Sequence, residues 1–224
     1  AIYKVNPVTG DRIIISGAEV GSGPEFDPTS VAVTTLHDIY VAEHTSDAAS
    51  IHHVDVLTGN RQIIASSTVG SGPVLQSAFD IIVRDDGKLV ISDTWGGTLV
   101  LVDPVTLERS VVSGPGVGTG PALSTPVGMT LDTNGDILVT TAAPFDQPSS
   151  LMRVDALTGD REIISSSDTG SGPVPDFWSD VVVSASGQAL VANHGVSPQT
   201  TAVLSVDLAS GDRAITSAIG TGAG

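Results

Sequence analysis

The sequence predicts an all-β fold: a β-propeller of four-stranded antiparallel blades, with four complete blades preceded by an N-terminal half blade. Three observations carry that expectation. First, the stretch LMRVDALTGDREIISSSDTGSGP at 151–173 is written again at 2–24 and 51–73, with looser copies at 99–121 and 203–224. Its anchor residues Asn6, Asp55, Asp103, Asp155 and Asp207 are spaced by 49, 48, 52 and 52, and a period near 50 belongs to repeat architectures. Second, each full period holds four short runs rich in β-branched residues and bounded by Gly, Asp and Asn, with no sustained helical periodicity. Third, only 15% of the 224 residues are charged and 25 are glycine, the composition of short strands joined by tight turns.

Taken in chain order, strand a of each blade is expected at Val31–Val33, Ile81–Val83, Met129–Leu131 and Val181–Val183. Strand b is expected at Ile39–Ala42, Leu89–Ser92, Ile137–Thr140 and Ala189–Ala192. Strand c leads into the Val-Asp (or Val-Asn) pair, and strand d follows the repeated arginine. The half blade then covers 1–16 and the blades about 26–66, 75–113, 123–166 and 175–217. They read as one domain, because repeats of this kind bury their apolar faces against their neighbours. The a–b turns at 85–88, 133–136 and 185–188 put glycine where a hairpin needs positive φ. His37 takes that place in the first. In the c–d turns the Asp or Asn is expected to cap turn amides and the glycine to take the left-handed position. Leu107 replaces that glycine in the third copy, which should be the most strained turn. The arginine (Arg12, Arg61, Arg109, Arg161, Arg213) is expected to return to the Asp as a charge-assisted pair.

The Gly-Ser/Thr-Gly-Pro segments at 21–24, 70–73, 118–121 and 170–173 read as linkers from strand d to the next strand a. A phosphate-binding loop would need a helix after it, and a P-loop also a lysine. Phe26, Phe79 and Phe177 are expected to anchor these linkers against the core.

The net charge is −16, and five of the nine Lys and Arg residues are the repeated arginine. With no basic footprint, nucleic-acid binding is excluded as a function and anionic membrane surfaces are disfavoured. There is no cysteine, hence no disulfide framework, and no apolar run long enough to span a membrane as a helix. Scarce lysine with abundant Ser, Thr and Gly points to a secreted, periplasmic or cell-surface protein. Five c–d copies against four a–b pairs point to a piece of a longer array, or to a homo-oligomer or partner chain covering open blade edges.

In a propeller of this strand order, strand a lines the central channel, and the starts of a and ends of b converge at its mouth. The starts of a read Ser30, Asp80, Gly128 and Asp180; the ends of b read Glu43, Asp93, Thr141 and Asn193, followed by His44, Thr94, Ala142 and His194. Scaffold positions repeat their residue, whereas these vary from blade to blade as a ligand site would. The candidate ligand rim is Glu43, His44, Asp93, Trp95, Trp178, Asn193 and His194. Two tryptophans beside Asp and Asn suit a glycan or small neutral ligand. Asp80 and Asp180 are the candidate ligands for Ca²⁺ or another hard divalent cation. His52 and His53, one facing in and one out on a strand, imply no site. No Gly-x-Ser-x-Gly elbow, HExxH or Cys/His cluster occurs.

The sequence of strand a, Asp-Gly turn, LVISD at 89–93 and a Val-Asp-x-x-Thr-Gly-x-Arg hairpin resembles NHL-type and SMP-30/gluconolactonase-like propellers, blade by blade, over nearly the whole chain. The resemblance implies a divalent metal at the channel mouth, held by Glu, Asn and Asp near strand-a starts. It would place Asp80 and Asp180 there, while Ser30 and Gly128 depart from the family's Glu and Asn. The leading expectation is a non-catalytic extracellular recognition or scaffold propeller acting through its loop rim and chain–chain contacts. The second is a metal-dependent, lactonase-like hydrolase or lyase.

Overall fold

The computed structural model describes residues 1–44, 49–142, 149–195 and 201–219. Every regular element among them is a β-strand. A two-stranded sheet of β1 (Ile2–Val5) and β2 (Arg12–Ser16) comes first. The first blade is β3 (Pro28–Val33), β4 (Ile39–His44), β5 (Ala49–Val54) and β6 (Arg61–Ala65). The second is β7 (Ala78–Val83), β8 (Leu89–Asp93), β9 (Thr98–Val102) and β10 (Arg109–Ser113). The third is β11 (Pro126–Leu131), β12 (Ile137–Thr141), β13 (Ser150–Val154) and β14 (Arg161–Ser165). The fourth is β15 (Phe177–Val183), β16 (Ala189–His194), β17 (Ala202–Val206) and β18 (Arg213–Ala218). Within each blade the strands lie side by side in sequence order. This is the β-propeller blade, four times over, with a half blade ahead of it.

The chain divides into two compact units, 1–91 with 100–110, and 92–99 with 111–224. In the first, Ile51, Leu89, Ile91 and Val102 centre the core. In the second, Leu138, Leu151, Trp178, Val191 and Leu204 do so. The b strands are covered on both faces: every residue of β8 and of β12 is buried, which is why they read as unbroken apolar runs without alternation.

Strand a starts earlier than its apolar run suggests, at Pro28, Ala78, Pro126 and Phe177. The cause is a break in register near the start of the a–b pairing, between Pro28 and Ser30, Pro126 and Met129, and Trp178 and Asp180. An irregularity of this kind bends the strand and re-aims the side chain after it. Proline tolerates the first strand position, where no ladder donor is needed.

The c–d turns cap as their sequence predicts. Asn6, Asp55, Asp103, Asp155 and Asp207 each accept the amides two and three residues on, as at Asp155, where Leu157 and Thr158 both donate at 2.8 Å. The turn glycines are left-handed, and Leu107 is forced there too, at φ 61°. His37 likewise sits at φ 70°.

The repeated arginine corrects the expectation. It does not return to its own turn's Asp; it reaches back to the linker of the preceding repeat. Arg213 Nε donates to Pro173 O at 2.7 Å, while one terminal nitrogen donates to Ser165 Oγ, Ser166 O and Thr169 O at 2.7–2.9 Å. Arg61 grips Pro24 O and Ser16 Oγ, Arg161 grips Pro121 O and Ser113 Oγ, and Arg109 grips Pro73 O and Val69 O. The carbonyls of a turning linker point in several directions, and a planar five-donor guanidinium can meet several of them, which a carboxylate on the adjacent turn would only compete with.

The residue before the arginine completes the grip. Asn60, Asp160 and Asp212 each accept, on one side-chain oxygen, both the amide and the hydroxyl of the linker's Ser22, Thr119 or Ser171. These linker bonds, the hydroxyl's first, hold the Asp160 and Asp212 carboxyls below the usual carboxylate range. A depressed folded-state pKa stabilises the fold above the unfolded value of about 3.9 and loses that contribution as pH falls through the folded value. Asn60 makes the same grip without a titrating group. The double variant Asp160→Asn, Asp212→Asn is therefore expected to flatten the loss of stability as pH falls below about 4, measured as urea midpoints at each pH. An acid profile superimposable on that of the parent chain would refute the assignment.

Candidate functional site

The varied positions at the starts of a and ends of b fall partly in each unit. The b–c loops of the first, third and fourth blades lie largely outside the described residues; Thr94–Gly97 in the second is described.

In the first unit, strands β3 and β7 run beside each other, and Ser30 Oγ donates to Asp80 Oδ1 at 2.6 Å. The same oxygen accepts the Ile81 amide at 2.8 Å. Asp80, a candidate metal ligand, is thus partly committed to holding two strand-a starts together. Glu43 is more heavily engaged. It accepts the Asp27 amide and the Ser50 hydroxyl, both at 2.8 Å, and its Oε2 lies 2.9 Å from His52 Nε2. Burial pushes the Glu43 carboxyl up, but these bonds outweigh it and hold the group below its ordinary range.

On sequence alone His52 implies no site; in the structure it is the centre of a buried cluster. Glu43 pairs in register with Ser50, and His52 lies two residues further on the same strand face. The signal was there: an end-of-b acid facing a Ser-x-His alternation on the next strand. Ser50 Oγ and Glu43 Oε2 meet the same ring nitrogen, at 2.8 and 2.9 Å, while His52 Nδ1 has no hydrogen-bond partner among the described residues. A nucleophile relay needs the base's two nitrogens turned to different partners. This arrangement therefore lacks a relay's geometry. The His52 ring packs on Phe26 at 5.5 Å between centroids, and the Arg61 guanidinium lies over the Phe26 ring, 5.3 Å from its centroid. Phe26 thus ties the linker to the core as expected. Phe79 and Phe177 do not: both are exposed, and Phe177 meets the His194 ring edge-on at 6.4 Å.

In the second unit, β11 and β15 run side by side. Gly128 is required there: a Cβ on it would lie 2.4 Å from Asp180 Cα and 2.7 Å from Asp180 Oδ1. That close approach explains the departure at this position. Asp180 is exposed and accepts the Val181 amide at 2.8 Å. Trp178, expected on the rim, is fully buried in the core of the second unit, with its amide bonded to Ser149 Oγ at 3.1 Å. Asn193 is buried and accepts the Asp176 amide at 3.0 Å; Thr141 bonds Ser150 at 2.8 Å. Asp93 is buried as well and accepts the Gly96 amide at 3.2 Å. Trp95, 61% exposed, presents its indole to solvent. His44 is half-buried and His194 exposed. Among the described residues, no three His, Cys, Asp or Glu side chains gather as a metal cluster, and no helix is long and apolar enough to cross a membrane.

This architecture defines a protein built of β-propeller blades, and comparison with solved structures agrees. The chain is similar to virginiamycin B lyase from Staphylococcus aureus, at 15% identity and a TM-score of 0.61, covering 88% of this chain and 57% of that one. It is similar to TolB from Acinetobacter baumannii, at 15% identity and a TM-score of 0.64, covering 95% and 47%. It is also similar to the extracellular domain of BT3049 from B. thetaiotaomicron, at 17% identity and a TM-score of 0.55, covering 93% and 23%. The chain spans no more than about 60% of the length of these structures, and at such identities the likeness concerns fold alone. No protein-family model matches the sequence, and neither does any curated protein.

Proposed function

We propose that this chain is a non-catalytic recognition or scaffold propeller, working outside the cytoplasm through chain–chain contacts at its first hairpin and through its loop rim. The reading rests on one observation above others. Tyr3 and Val5 on β1 are 53% and 52% exposed, whereas the matching residues of the other four hairpins (His52 and Val54, Val100 and Val102, Met152 and Val154, Leu204 and Val206) are at most 1% exposed. An apolar strand with an unpaired edge is the form a protein contact takes. On the rim, Glu43, Asp93, Thr141 and Asn193 are engaged within the protein, which leaves little free chemistry for catalysis, and exposed Trp95 supplies a face for a glycan or small neutral ligand. The likeness in fold to an extracellular domain supports the same placement.

The test is sedimentation velocity across a hundredfold range of concentration. The parent chain is expected to associate as concentration rises, and the variant Tyr3→Ser, Val5→Asp to stay monomeric with an unchanged circular dichroism spectrum. A monodisperse parent monomer that binds no partner on a glycan array would overturn the reading.

A further inference from the structure

A cleft of about 660 Å³ opens between the first and second blades, walled by the turns at 34–38, 84–88 and 103–106, all within the first compact unit. It lies at the a–b turn end of the blades, away from the rim, and its volume falls in the range of roughly 300–1,000 Å³ usual for small-ligand sites. Tyr40 forms its floor. The side chain is 8% exposed, and its ring packs on His53 at 5.3 Å between centroids. Its hydroxyl makes no hydrogen bond among the described residues, yet it is not sealed from the cleft. A buried phenol ordinarily has a partner, and here the open cleft is the side from which one can come.

The sequence singles out the same position. The second residue of strand b is Val90, Leu138 and Leu190 in the other three blades, so Tyr40 brings a polar tip where the repeat is apolar. The opening has a cause as well. In the second unit Leu208, which follows the c–d Asp, packs against the cluster that holds Leu138. The corresponding residue of the second blade is the shorter Pro104, which lines the open cleft.

The walls set the charge of the occupant. Four carboxylates line the cleft against two cations, and both cations are already paired, Arg84 with Asp86 at 3.5 Å and Lys88 with Asp103 at 3.2 Å. Asp85 makes no hydrogen bond or ion pair among the described residues, and the Asp38 carboxylate meets His53 Nε2 at 3.3 Å and the Thr34 hydroxyl at 3.5 Å. Burial, and then the charge of Asp38, push the Tyr40 phenol above its ordinary value, so the hydroxyl stays neutral and its oxygen can accept an N–H. Exposed Val33 and Leu36 add an apolar flank. The acids do not gather in the threes that a bare metal ion would need, so the excess negative charge and the apolar flank together fit an organic cation.

We propose that this cleft binds a small alkylammonium ligand, its ammonium among Asp38, Asp85 and the Tyr40 hydroxyl and its apolar chain along Val33 and Leu36. Three N–H donors then meet three acceptors. The site goes beyond the proposed chain–chain contact and uses neither the first hairpin nor the rim, so it stands or falls separately from them.

The test is hexylammonium titrated into the full chain and followed by amide chemical shifts. Saturable shifts are expected at 34–38 and 84–88, and none from hexanoate, which has the same chain and the opposite charge. Tyr40→Phe should weaken binding about fivefold, and the double variant Asp38→Asn, Asp85→Asn about tenfold, with thermal melts like the parent's. Should the double variant melt early, Asp85→Asn alone, in an exposed turn, keeps the test, and binding unchanged both there and in Tyr40→Phe would overturn the proposal. So would shifts spread over the acidic surface and reduced as much by Asp168→Asn, an exposed acid of the second unit, because they mark general charge attraction. A lysine tripeptide that binds where hexylammonium does not would give the cleft to a protein side chain and overturn the small-ligand assignment.

Discussion

Arg213→Ala is expected to destabilise the folded chain by about 3 kcal/mol. The side chain is 8% exposed and serves the Pro173, Ser166 and Thr169 carbonyls and the Ser165 hydroxyl. Truncation leaves these acceptors in a site too dry to rehydrate all of them, and an orphaned buried polar group costs about 1–3 kcal/mol. Arg213→Lys should recover little, because a single ammonium cannot face Pro173 on one side and Ser165 on the other as the fork does. Arg12→Ala is the internal control: the same repeat position, here exposed, should change stability by less than about 0.5 kcal/mol. Urea unfolding of the three variants decides it. Equal effects at Arg213 and Arg12 would show that the arginine acts within its own turn.

The second large effect belongs to Gly128. A methyl group placed there would sit 2.4 Å from Asp180 Cα and 2.9 Å from Ser179 O. Both are backbone atoms, so β11 and β15 must separate, and overpacking of this kind costs about 1–3 kcal/mol or more. Gly128→Ala is expected near the upper end of that range. Adding Asp180→Ala should not restore stability, because the nearest obstacle is the Cα that remains. By contrast Gly135→Ala, in an open turn at φ +87° with no neighbour within 4 Å, should cost about 1 kcal/mol from backbone strain alone. Thermal melts of the three variants order these effects, and recovery by Asp180→Ala would place the clash in the side chain instead.

Much of the fold was legible because its signals are local. The caps at Asp55, Asp103, Asp155 and Asp207, the left-handed glycines and the β-branched runs each depend on residues within four positions of one another, and the repeat states them several times over. The candidate site was legible only in part. Glu43 reads as a free rim acid until the register brings Ser50 and His52 against it. Trp178 reads as a surface aromatic until β15 turns it inward among Leu138, Leu151 and Leu204. A rim position is defined by what covers it, and that cover comes from strands far along the chain.

The repeat, the four strands of each blade, the turn chemistry and the extra hairpin are all set by short-range pattern and spacing. What the arginines hold is set instead by how the repeats pack. Arg61 and Pro24 are 37 residues apart, and Arg213 and Pro173 are 40; nothing local to either distinguishes a partner on the same turn from one in the previous repeat. Packing one repeat against the next buries the guanidinium beside turned carbonyls, and that burial selects the long-range partner.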